Sequence, residues 1–88
     1  MRVRLTEHAE EMLIERELKR SWLERVLADP LWTEPEPAKP FIVRAFGPIA
    51  EAGDRILRVA YTDRAGERIV LSLHFDRRAT RRYRSKGR

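Results

Sequence analysis

The feature that most constrains this chain is a change of hydrophobic period. Before residue 30 apolar side chains recur at the helical spacing of about 3.6, and after residue 40 they alternate with a period of about 2. Four prolines, Pro30, Pro35, Pro37 and Pro40, separate the two regimes. They remove backbone donors and favour extended or polyproline II geometry, so residues 30–40 read as a surface connector. A run of helices followed by a run of strands argues for an α+β domain, with helices packed on one face of an antiparallel sheet and the other face open.

The elements follow from local chemistry. Arg2-Val3-Arg4-Leu5 alternates and suits a short edge strand. Thr6 fits a helix N-cap, with Glu7 and Glu10 against the positive end of the dipole, and the stripe Ala9, Met12, Leu13, Ile14 and Leu18 predicts a helix over 7–18. Ser21 and Glu24 have capping-box spacing ahead of a second helix to Ala28 that buries Trp22, Leu23, Val26 and Leu27, although its start could instead lie at Lys19. Pro30 stops it by restricting Asp29. Phe41 to Phe46 reads as a strand ending at Gly47-Pro48, and 49–54 as a loop. Arg55–Thr62 and Glu67–Phe75 read as an antiparallel hairpin about Asp63-Arg64-Ala65-Gly66. The expected layout is a short N-terminal strand, two helices and a three-strand antiparallel meander.

Charge is segregated. The 88 residues hold 19 Lys and Arg against 14 Asp and Glu, a formal net charge of +5. Arg77, Arg78, Arg81, Arg82, Arg84, Lys86 and Arg88 follow the last strand with no acid among them, which leaves residues 1–76 mildly acidic. A uniformly basic protein is thereby excluded. The expected organisation is one domain over 1–76 and a basic C-terminal tail or helix over 77–88, in which Ala79 and Tyr83 at i, i+4 form a narrow apolar seam. The chain has no cysteine, which removes disulfides, thiolate catalysis and Cys-ligated zinc, and its two histidines form no metal-ligand motif. No metal or cofactor is expected. No uninterrupted apolar stretch exceeds three residues, so neither a signal peptide nor a membrane span is expected and the expected location is cytoplasmic.

Strand alternation nominates the chemistry. With Ile69, Leu71, Leu73 and Phe75 facing the core, Val70, Ser72 and His74 face outward, where Arg58 and Thr62 join them if the apolar sets pair. A permanently charged guanidinium, hydroxyls and an imidazole that titrates near neutrality are the groups needed to bind RNA and to promote attack of a 2′-OH on the adjacent phosphate. An ordinary solvated sheet face is the competing reading. His8, in the first turn of the first helix, is a second candidate proton carrier, although packing or capping accounts for it as well. The arginines after Asp76 suit phosphates, with salt-sensitive, largely sequence-independent affinity. A solubilising tail or a docking segment for an acidic partner would carry the same charge.

Leu5-Thr6-Glu7-His8-Ala9, Arg16-Glu17-Leu18, Trp22 to Pro30, Arg55 to Val59 and Phe75-Asp76-Arg77-Arg78 together resemble a bacterial domain-of-unknown-function family. Its pattern runs H-A-x-x-R-M, R-G-I, a helix ending in proline, a hairpin and a closing aromatic-D-R-R. That family looks related to the BrnT and RelE/ParE ribonuclease-like toxins, and the resemblance spans nearly the whole chain. It implies the same strand, two-helix, three-strand order. His8, Arg16, Arg77 and Arg78 match pattern positions, whereas Met12 stands where the family usually has arginine and Glu17 where it has glycine.

Two functions are expected. One is a toxin-type endoribonuclease, metal-independent, with His74 or His8 transferring the proton, Arg58, Arg77 and Arg78 neutralising the phosphate, and Arg16, Arg81, Arg82, Tyr83 and Arg84 holding RNA, with an antitoxin-like protein as a candidate partner. The alternative is a non-catalytic module of the same fold that binds nucleic acid or docks an acidic partner.

Overall fold

A computed structural model describes residues 2–86. The chain is α+β: a five-stranded mixed sheet of order β1-β5-β4-β3-β2 with three helices. In chain order these are β1 (Arg2–Leu5), α1 (Glu7–Glu15), α2 (Arg20–Ala28), β2 (Trp32–Glu36), β3 (Lys39–Ile49), a single 3₁₀ turn at Ala50–Ala52, β4 (Arg55–Arg64), β5 (Glu67–Phe75) and α3 (Arg77–Lys86). No helix among the described residues is long and apolar enough to cross a membrane.

Local signals place α1 and α2. Thr6 caps α1, its hydroxyl accepting the Ala9 N–H at 3.1 Å. The helix stops at Glu15, short of the expected Leu18, because Glu17 takes a left-handed backbone at φ 52° and the Leu18 N–H turns back to the Leu13 carbonyl. Leu18 still enters the core. α2 begins at Arg20 with Lys19 as its N-cap and no side-chain capping bond, so the Ser21–Glu24 box does not form. Leu23 and Val26 are buried, and Trp22 and Leu27 are half-buried. Val26 lies against Gly47, where a Cβ would come within 3.1 Å of its Cγ2, so the glycine sets how closely α2 approaches β3.

The sheet corrects the expected meander in three ways. The proline-rich connector is an edge strand, β2, joined to β3 through Pro37-Ala38. An edge tolerates Pro35 because a missing donor there breaks no ladder. Next, β3 runs through Gly47-Pro48 to Ile49. Pro48 faces Ile56, whose N–H and carbonyl bond Thr80 and Asp76 on the far side, so the pair is of the non-hydrogen-bonded kind and needs no donor from proline. Last, β1 pairs parallel with the Glu67–Val70 half of β5, closing a sheet whose other four strands run antiparallel.

A bulge sets the faces. Ala60 opposes Ser72 but Tyr61 opposes Val70, leaving Leu71 without a partner. Val70 therefore turns inward and is fully buried beside Tyr61, while Ile69 turns to the opposite face beside Thr62. This reverses the expected placing of Ile69 and Val70. Ala9, Met12, Leu23, Val26, Leu57, Val59, Val70 and Leu73 form the core between the sheet and α1 and α2.

The second face is not open along its whole length. Residues 77–86, expected as a tail or helix, form α3, which docks Ala79 and Tyr83 on Phe46, Ile56 and Trp32. The Thr80 hydroxyl accepts the Ile56 N–H at 2.9 Å. Arg88 lies outside the described residues.

Candidate nucleic-acid interface

The interface is built around α3, and Asp76 sets where that helix begins. One Asp76 carboxylate oxygen accepts the Ala79 N–H at 2.9 Å, and the other lies 3.2 Å from the Arg58 guanidinium. Burial alone raises this carboxyl, but the Ala79 N–H, Arg58 and His74 outweigh it and hold it below the usual carboxylate range. Asp76 is thus charged and joins the last strand, the helix and the sheet face. An aspartate three residues ahead of a helical N–H is a capping signal visible in the sequence.

α3 is a ridge with cations on both flanks. Arg77, Arg81 and Arg84 line an open cleft of about 730 Å³, with Arg16 and Leu18 from the turn after α1, Arg55 and Phe75 from the strand ends, and Thr80 and Ser85. None of the five arginines in this cleft is ion-paired among the described residues. Two are oriented by neutral partners. Arg55 donates to the Ala52 carbonyl at 3.1 Å and lies 3.9 Å from the Phe75 ring centroid, and Arg84 donates to the Gly53 carbonyl at 2.6 Å. Across the ridge Arg78, Arg81 and Arg82 line a second cleft of about 460 Å³ with Arg58, Arg44, Phe46 and two carboxylates, Glu34 and Asp76. Arg81 belongs to both.

The register places Arg58 directly opposite His74 and Ala60 opposite Ser72, and Thr62 lies on the same face. His74 is half-buried. Burial first, then the positive fields of Arg58, Arg16 and Arg44 against the opposing pull of Asp76, hold its ring below the ordinary imidazole pKa. Such a ring is neutral at pH 7 and can accept a proton.

His8 is not brought to this site. It is exposed on α1, on the opposite side of the sheet from His74. Arg16 caps α1 and reaches the first cleft, whereas Tyr83 is half-buried in the seam under α3. Met12, at the pattern position of an arginine, is a core residue. Sequence reasoning missed Arg55, Arg44 and Asp76. Only Asp76 carried a local signal; Arg44 looks like an ordinary outward-facing strand residue, and Arg55, at the strand end on the same face as Leu57 and Val59, becomes a cleft residue only when the elements assemble. No protein-family model, curated protein or solved structure matches the chain, so what this surface does is read from its own chemistry.

Proposed function

We propose that this protein binds RNA through the arginine surface around α3, with affinity that is mainly electrostatic, as a small domain of RelE and BrnT-like architecture. The observation that carries the reading is the convergence of Arg16, Arg55, Arg77, Arg81 and Arg84 on one cleft without an ion-paired carboxylate among the described residues. Guanidinium forks match phosphate oxygens, and each phosphate neutralised releases counterions. Binding of a fluorescent single-stranded RNA at a series of salt concentrations tests it. Affinity should fall steeply with salt, and Arg81→Gln, at the junction of the two clefts, should weaken binding by roughly tenfold and lower the log–log slope by about 0.7. Absence of RNA binding at low salt, with a folded protein, overturns the reading. An acidic segment of an antitoxin-like partner would compete for the same cations.

The Arg58–His74 pair favours a second reading, RNA cleavage. Neutral His74 would take the 2′-OH proton as the oxygen attacks phosphorus. The P–O5′ bond would break to leave a 2′,3′-cyclic phosphate, and the 5′ oxygen would leave with a proton from solvent. Arg58 would stabilise the charge that develops on the phosphate. Incubation with end-labelled RNA checks this: defined fragments that disappear with His74→Gln are the expected outcome, and intact RNA with the unaltered protein sinks it.

A further inference from the structure

The two clefts flanking α3 differ in a way that a uniform RNA-tracking groove would not. The smaller one mixes arginines with Glu34 and Asp76, and Glu34 is already held by the Trp32 indole N–H at 3.2 Å and by Arg44 at 3.8 Å. Its net field is moderated, and its carboxylates would repel a dense anion. In the larger cleft five guanidinium groups meet, with no carboxylate among the described residues. Arg77, Arg81 and Arg84 occupy only ~10 Å of helix length at ~1.5 Å per residue. Arg16 and Arg55 approach from other elements.

A nucleic-acid strand spreads its charge along its length, one per ~3.4 Å of rise in a duplex strand, so a groove that follows it places cations in a line. Five around one hollow suit an anion that concentrates several charges on linked phosphorus centres. Arg55, over the Phe75 ring, and Arg84, tied to Gly53, are oriented before any ligand arrives, and each uses one donor on a carbonyl while the rest stay available.

We propose that this cleft holds the terminal oligophosphate group at the 5′ end of an RNA strand, and that the strand then crosses the α3 ridge at Arg81 toward the smaller cleft. This deepens the RNA-binding reading and rests on it. The chemistry recognised is the oligophosphate itself, so a free nucleoside triphosphate is its other source.

One RNA sequence prepared with a 5′-triphosphate and with a 5′-hydroxyl separates the possibilities, with ATP and inorganic triphosphate as competitors at near-physiological salt. The triphosphate RNA should bind at least tenfold tighter. Arg16 and Arg77 make no side-chain hydrogen bond among the described residues, and the double variant Arg16→Gln/Arg77→Gln should weaken the triphosphate RNA at least tenfold more than the hydroxyl-ended RNA, which removes the preference. Arg78→Gln/Arg82→Gln, on the other flank, should weaken both RNAs and leave their ratio. Equal affinity for the two ends overturns the inference and leaves the RNA-binding reading intact. Binding of ATP and inorganic triphosphate with no binding of either RNA supports the oligophosphate site and overturns the RNA reading.

Discussion

At the residue scale, Glu17 carries backbone strain. Its φ of 52° lies in the left-handed region, where a Cβ crowds the backbone, and it ends α1 in the position that favours glycine. The relief of ~1–2 kcal/mol on removing the side chain exceeds the ~0.4–1 kcal/mol that glycine adds to unfolded-chain entropy. Glu17→Gly should therefore stabilise by about 0.5–1 kcal/mol in urea unfolding. Arg16→Gly, one residue earlier at φ −96°, has no such strain to relieve and should lose a similar amount. Glycine takes this conformation without a steric cost. A glutamate in its place conceals the helix end from a sequence reading, which let the apolar stripe run on to Leu18.

α3 is the element least able to stand alone. Arg77 and Arg81, Arg78 and Arg82, and Arg82 and Lys86 are like charges at i, i+4, each pair destabilising an isolated helix by a few tenths of a kcal/mol. Docking offsets this through the Asp76 cap, the Ala79 and Tyr83 seam, and Thr80, whose hydroxyl accepts the buried Ile56 N–H and donates to the Asp76 carbonyl at 2.7 Å. Thr80→Val keeps the shape but orphans that N–H, so it should cost ~1–3 kcal/mol, with a melting temperature roughly 4–8 °C lower per kcal/mol, whereas Thr80→Ser should retain most of the stability. The seam of Ala79 and Tyr83 is legible from their spacing. Its receiving surface is not, because Phe46 and Ile56 are distant in sequence and each reads as one strand residue among many.

For the whole molecule the register couples charge to stability. Folding holds His74 below the ordinary imidazole value of 6.5 through burial and the fields of Arg58, Arg16 and Arg44, so the unfolded chain takes up its proton first as pH falls. The stability this group contributes is complete above about pH 6.5 and is lost as pH falls through the folded value, with a slope no steeper than ~1.4 kcal/mol per pH unit. Asp76 and Asp63 are likewise depressed below the ordinary carboxylate value of 3.8, so their contribution is present above it and lost in stronger acid. Urea unfolding across pH 3 to 8 should show both declines. In His74→Gln only the acid one should remain, and a decline from neutrality unchanged in that variant would contradict the assigned cause.

Sequence alone determined the two helices before residue 30, the β4–β5 hairpin and the segregation of cations after Asp76. These depend on period, caps and charge order, which act over a few residues. The hairpin turn shows the reach of that logic: Gly66 takes the positive φ of 79° that its type allows, with Ala65 beside it at 50°. Tertiary structure decided the parallel pairing of β1 with β5, the recruitment of the prolines into an edge strand, the bulge at Leu71 that turns Val70 inward, and the meeting of Arg16 and Arg55 with the arginines of α3. Each of these depends on which edges and apolar faces fit together across the chain, and that fit is a property of the assembled layers rather than of any local run of residues.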